Sequence, residues 1–162
     1  MKKLGVAVAV LALAAFGLTA APQASATVKE RQCSDGGWAQ PEKADPYWGG
    51  WTSTTTVEHH DLAGHGWFEL RKGVRDGKTF YWVKGQNLDA QRDLRLALNW
   101  GWKRYPSDVW QNCTIVMSPG DSTIVSTWAV RRSADAPEGV FRVDVQGCGD
   151  VLGYYGTCTE VQ

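Results

Sequence analysis

Leu94-Arg95-Leu96-Ala97-Leu98-Asn99-Trp100-Gly101-Trp102-Lys103 alternates between large apolar side chains and polar or small ones. A period of two puts Leu94, Leu96, Leu98, Trp100 and Trp102 on one face of an extended strand, with its other face wet. The pattern recurs downstream, with Phe141, Val143 and Val145 set against Arg142, Asp144 and Gln146. Ile124, Trp128 and Val130 are expected to share a face of a strand over 122–131, and Asn112 to Met117 is a shorter apolar run stopped by Pro119-Gly120. From Trp51 onward the sequence predicts seven strands, at about 52–59, 66–74, 79–86, 94–103, 112–118, 122–131 and 140–147. Ala63-Gly64, Asp76-Gly77, Pro119-Gly120 and Ala136-Pro137-Glu138-Gly139 supply turns between them. Helical periodicity is missing throughout this region. The expected fold is therefore all-β, an antiparallel, immunoglobulin-like β-sandwich, with a small closed barrel as the alternative.

The chain before these strands has two parts. Lys2 and Lys3 precede an apolar run from Gly5 to Leu18, and Ala24-Ser25-Ala26 has the small-x-small form of a signal-peptidase site. Residues 1–26 thus read as a bacterial export leader, and residues 27–162 as one secreted domain of extracellular location. Residues 27–50 are interrupted by Gly36-Gly37, Pro41, Pro46 and Gly49-Gly50 and carry Trp38, Tyr47 and Trp48. They read as an irregular segment fastened to the sandwich by Cys33 and its aromatic rings. The tail from Gly149 to Gln162 has a similar irregular character.

Charge excludes some partners. The chain balances 17 basic against 17 acidic residues, and losing Lys2 and Lys3 tips the remainder slightly to the acidic side. Such a balance offers no footprint for nucleic acid or anionic lipid. No apolar window reaches the roughly 18 residues of a membrane span. Oligomeric state is not legible.

Four cysteines, Cys33, Cys113, Cys148 and Cys158, fall outside the leader. Export favours disulfides, and no C-x-x-C pair points to metal. Two pairings are sensible: Cys33–Cys113 with Cys148–Cys158, or Cys113–Cys148 with Cys33–Cys158.

Nine tryptophans exceed the needs of one small core, so which rings face water is the functional question. Asp76-Gly77 is the preferred dipeptide of a two-residue type I′ bend. With those as loop residues, Leu70 pairs with Val83, Lys72 with Tyr81, Glu69 with Lys84 and Arg71 with Trp82. Phe68, Leu70, Tyr81 and Val83 then share one face, and Trp67, Glu69, Arg71, Phe80, Trp82 and Lys84 the other. Three charges make the second face the outer one, with Arg71 beside Trp82. An outward strip of Trp67, Arg71, Phe80 and Trp82 is either a recognition surface or the bed on which Trp38, Tyr47 or Trp48 lies.

Chemistry has fewer footholds. His59, His60, Asp61 and His65 are legitimate metal ligands or an acid/base set. Neighbouring strand residues point to opposite faces, however, and H-E-x-x-H is absent. Neither a G-x-S-x-G nucleophile motif nor a glycine-rich phosphate loop occurs. Spacing alone does not bring Glu58, Asp61 or Glu69 together as a hydrolytic pair. Asn112-Cys113-Thr114 matches the glycosylation acceptor pattern, which counts for little beside a leader of bacterial appearance. Trp102-Lys103-Arg104-Tyr105 resembles, over four residues, the Trp-Arg-Tyr triplet of small secreted actinobacterial α-amylase inhibitors, which are disulfide-bonded β-sandwiches. This chain is longer, interposes Lys103 and spaces its cysteines differently, so membership does not follow.

Binding is thus favoured over catalysis, with no cofactor. The expected partner is an extracellular polysaccharide or protein met by Trp67, Arg71, Phe80 and Trp82. The first alternative is inhibition of a secreted hydrolase through Lys103–Gln111 or Ser133–Gly139. The second is a metal-assisted hydrolase built on His59, His60, Asp61 and His65.

Overall fold

A computed structural model describes residues 30–34, 42–102, 109–132 and 143–162. The proposed leader lies outside them, as do most of the two proposed inhibitory loops, Trp38 and the start of the strand expected at 140. Eleven strands are found among the described residues: β1 (Gln32–Cys33), β2 (Lys43–Ala44), β3 (Ser53–Asp61), β4 (Gly66–Arg75), β5 (Lys78–Asn87), β6 (Leu94–Trp102), β7 (Val109–Met117), β8 (Ile124–Ser126), β9 (Ala129–Arg131), β10 (Val143–Val151) and β11 (Tyr155–Cys158). They form two open antiparallel sheets, a sandwich and not a barrel. The first sheet runs β1-β7-β6-β10-β11; the second runs β2-β9-β5-β4-β3, with β8 also on β5.

The bend between β4 and β5 has Asp76 at φ 50° and Gly77 at φ 72°, the doubly left-handed backbone of a type I′ turn. Arg75 pairs with Lys78, Arg71 with Trp82 and Leu70 with Val83, the register expected from the dipeptide. Phe68, Leu70, Tyr81 and Val83 accordingly face inward, against Leu94, Leu96, Leu98 and Trp100 of β6 and Ile115 and Met117 of β7. Side chains of this size fit because β10 is locally small. A Cβ on Gly147 would stand 3.0 Å from Val83 Cγ2 and 3.3 Å from Leu70 Cβ, so these side chains close onto bare backbone.

Three expectations need correction. The strand expected over 122–131 is two strands, because the register against β5 slips by one residue between Ser126 and Ala129. Thr127 causes the break: its amide donates to Val83 O at 2.9 Å while its hydroxyl accepts from Val83 N at 3.1 Å. This extra residue is a β-bulge. It changes the facing, so Val125 and Val130 are both buried while Ile124 is 48% exposed. Trp128, expected to share a face with Val130, is only half-buried and packs at the margin of the core. Second, the tail is ordered: β10 continues to Val151 and returns as β11, and Gln162 exchanges backbone hydrogen bonds with Val145 at 3.0 and 3.2 Å. Third, the segment before Trp51 contributes β1 and β2 as edge strands.

The bridges are Cys33–Cys113 and Cys148–Cys158, one of the two pairings expected. Each joins directly paired residues on neighbouring strands, so each fastens one edge strand of the first sheet. They fit an oxidising compartment. Among the described residues no helix is long and apolar enough to cross a membrane.

The bridges span 80 and 10 residues of chain, for which loop-closure entropy gives about 4–5 and about 3 kcal/mol respectively. The double variant C33A/C113A should therefore lose more unfolding free energy in urea than C148A/C158A. Equal losses would show that strand docking, not loop closure, governs the effect.

Candidate functional site

On the outer face of β4 and β5, Phe80 and Trp82 point away from the main core, as their register requires. They are nonetheless not a surface, being only 1% and 4% exposed. Trp51 covers them, meeting Phe80 edge-on at 5.5 Å and Trp82 at 5.1 Å between ring centroids. Ala44 and Ala129 close the same cluster. Gly73 makes the stack fit, since a Cβ there would lie 2.9 Å from both Trp51 and Trp82 rings. The outer face thus carries a second small core roofed by the chain entering β3. The expected roof was Trp38, Tyr47 or Trp48, and the residue used is Trp51. The physical reason is that two large rings on an open face gain about 1.5–3 kcal/mol each when water is removed.

Trp67 and Arg71, the other two residues of the expected strip, lie on the same face and are only partly exposed. Trp67 donates its indole N–H to Gln86 Oε1 at 3.0 Å and stacks on His59 at 5.8 Å. Arg71 donates to Glu69 Oε2 and Thr56 Oγ1, both at 2.9 Å. Burial opposes ionisation of Glu69, but the bonds from Arg71 and Thr56 prevail and hold its carboxyl below the usual range. The four residues do not form one open strip.

What is open lies beside the roof. A cleft of about 340 Å³ is bordered by Glu42, Asp45, Trp48, Arg75, Asp76 and Trp128, with Phe80 also reaching it. Trp48 is 70% exposed. It sits in Pro46-Tyr47-Trp48-Gly49-Gly50, where Trp48 N donates to Asp45 O at 3.2 Å and Tyr47 N to Asp45 Oδ1 at 3.0 Å, an Asx-type turn. Asp45 also accepts both ends of the Arg31 guanidinium at 3.0 and 2.7 Å, a bidentate pair. The same guanidinium lies 4.4 Å from the Trp128 ring and 5.6 Å from the Tyr47 ring. Residues from three places in the sequence thereby fix one wall. Glu42 accepts from Lys78 Nζ at 2.8 Å, with Arg131 at 3.5 Å. The Arg31 bond holds the Asp45 carboxyl below its usual range, and the Lys78 bond does the same for Glu42.

Sequence reasoning missed this cleft. Trp48 stood in a segment without periodicity, and no motif or spacing connected it with Glu42, Asp45, Arg75 or Asp76. The one available signal was a tryptophan beside Gly49-Gly50, where packing partners are scarce.

The histidines do not converge. His60 stacks on Phe68 at 5.1 Å and places Nε2 2.5 Å from Glu58 Oε1, whereas His59 lies outward on Trp67. His65 pairs through Nδ1 with Asp89 Oδ2 at 2.8 Å, and Asp61 instead accepts from Gly64 N at 2.9 Å. Among the described residues no three His, Cys, Asp or Glu side chains are placed to hold a metal ion. The proposed inhibitory loops lie mainly outside the described residues, with Val109–Gln111 opening β7. No family model, curated protein or solved structure matches the chain.

Trp82→Ala should cost about 3–5 kcal/mol of stability, as for other buried aromatics. Trp48→Ala should change stability by no more than about 0.5 kcal/mol. Urea unfolding of the two variants checks both values; a large loss for Trp48→Ala would make that ring part of the core. A carboxylate with a depressed folded pKa contributes stability that is present above its unfolded pKa and disappears as pH falls through the folded one. Asp45 and Glu42 start from 3.8 and 4.5. Stability against urea should hence include their contribution at about pH 6 and lose it progressively below about pH 4. Asp45→Asn should flatten part of that acid limb; an unchanged limb would remove Asp45 from the account.

Proposed function

We propose that the chain is an exported, non-catalytic domain that binds an extracellular polysaccharide in the cleft bordered by Trp48 and Trp128. The leader-like residues 1–26 and the two bridges support export. The observation that carries the binding assignment is Trp48, an indole 70% exposed on a turn tied down by the Arg31–Asp45 pair. An exposed ring on a fixed backbone offers a flat apolar face at little entropic cost on binding. The C–H face of a pyranose stacks on such a ring, while neighbouring carboxylates accept from sugar hydroxyls and Arg75 donates to them.

Binding rather than hydrolysis is favoured by the state of the carboxylates. A glycosidase needs one carboxyl kept protonated near neutral pH by a raised pKa. Asp45 and Glu42 are shifted the other way by Arg31 and Lys78. Both are ionised acceptors and poor proton donors. Of the four residues first expected to bind, Phe80 borders the cleft and Trp82 packs beneath the neighbouring Trp51, while Trp67 and Arg71 take no part in this reading.

Pull-down of the purified protein on insoluble cellulose, chitin, xylan and β-1,3-glucan tests the assignment. Retention on at least one is expected, and Trp48→Ala should weaken it by about thirtyfold, the loss of a contact worth about 2 kcal/mol. Equal retention by a folded Trp48→Ala protein, or none by the parent on any glycan, would reject the reading. In the second case, titration against secreted amylases and proteases tests the inhibitor alternative, which predicts stoichiometric loss of one activity.

A further inference from the structure

We propose that the outer face of the first sheet is a second saccharide site, separate from the Trp48 cleft, so that one domain holds two polysaccharide chains. A groove of about 330 Å³ crosses β7, β6, β10 and β11 on this face. Its rows follow from the strand register: Thr114 beside Ala97, Ala97 beside Cys148, and Cys148 beside Cys158. The next row sets Asn112 against Asn99 and Asn99 against Gln146. Ala97 and Gly156 give the groove its depth, because the first raises only a methyl above the sheet and the second nothing. These positions alternate with the inward Leu96, Leu98, Cys113 and Ile115, so the lining faces solvent by the same period-two rule that builds the core.

The chemistry of the lining selects the ligand class. Asn99, Asn112, Thr114 and Thr157 supply amides and hydroxyls, which both donate and accept. Asn99 uses one amide donor on Cys148 Sγ at 3.2 Å, which orients the group within the lining. The two charged residues of the lining, Arg95 and Asp150, pair with each other at 2.7 Å, so the groove has no net charge to satisfy. A neutral, uncharged polyol chain matches such a lining, since each sugar hydroxyl needs both a donor and an acceptor. An anionic chain would find the one cation of the lining already engaged by Asp150. Trp110, 45% exposed, precedes Asn112 by two residues on the same strand face and provides a stacking ring beyond the amides.

The two sites lie on opposite outer faces of a sandwich whose sheets are stacked about 10 Å apart. A single chain does not reach both without wrapping the domain edge, so simultaneous occupancy means two chains joined. Linkage of this kind raises avidity without new contacts.

The test uses the whole isotope-labelled domain titrated with cellohexaose, xylohexaose, chitohexaose and laminarihexaose in turn, followed by NMR. With at least one of these sugars, the side-chain amide signals of Asn99 and Asn112 should shift in the parent and equally in Trp48→Ala. Ala97→Arg, which fills the groove from the solvent side, should abolish those shifts while the Trp48 indole signal still moves. Calorimetric stoichiometry should then fall from two sugars to one. Asn112→Ala, a milder change at an exposed position, should weaken this site at least tenfold. Movement of the Trp48 signal without Asn99 or Asn112 would overturn the second site and leave the first. Movement of the amides alone would uphold it and reject the Trp48 cleft. Silence of both sets with all four sugars would reject both.

Discussion

The left-handed backbone at Asp76 and Gly77 is the constraint on which the other contacts rest. With two residues in the bend, β5 has only one register against β4, and that register decides which of its alternating rings enter the sandwich. Tyr81 and Val83 turn inward to meet Leu96 and Trp100, while Phe80 and Trp82 turn outward. A slip of one residue would bring Phe80 and Trp82 into a space shaped around Gly147 and expose Tyr81 and Val83. The far side of β5 then receives β8 and β9, and Thr127 makes the one-residue correction that lets Val125 and Val130 share the core. Both cores of the second sheet are therefore fixed by β5.

The two sheets solve the problem of their edges differently. In the first, β1 and β11 are short, contribute few ladder bonds, and are each fastened by a disulfide to the paired residue next door. A two-residue strand such as β1 would otherwise fray, because its few hydrogen bonds do not offset the entropy of ordering it. In the second sheet the short edge strand β2 is held by side chains: Ala44 in the outer aromatic cluster, and Glu42 bonded to Lys78 just outside it. The long edge strand β3 carries a bulge at Val57, where the register moves between Thr56 and Glu58, and four exposed hydroxyl residues from Ser53 to Thr56. Those features discourage edge-to-edge association.

Much of this was legible in the sequence for a definite reason. Alternation in β6 and the dipeptide at the bend are local signals, and each maps onto geometry without knowledge of the rest of the chain. What stayed hidden is non-local. Thr127 breaks a strand by bonding to Val83, far away in sequence, so no inspection of 122–131 reveals it. The tail lacks alternation, and its pairing depends on the contact of Cys148 with Cys158. Period two correctly gives the face of Phe80 and Trp82, but it carries no information about what lies over that face. Exposure is a property of the neighbouring layer, here Trp51, and the candidate cleft is the margin of that layer.

That margin is where the fold's own requirements run out. Trp51 repays its place by drying two rings and filling the space above Gly73. Trp48, three residues earlier on the same roof, lies outside that cluster and leaves most of its indole in water. Nothing in the packing needs a ring there: the turn is made by Asp45 and Pro46, and the wall is held by Arg31. The Trp48 indole joins neither buried cluster, so it adds nothing to core packing. The Arg31–Asp45 pair and the bonds from Tyr47 N and Trp48 N to Asp45 tie down the backbone of the turn that carries it. An apolar, exposed side chain that folding does not use is the contact that the proposed saccharide reading assigns to a ligand.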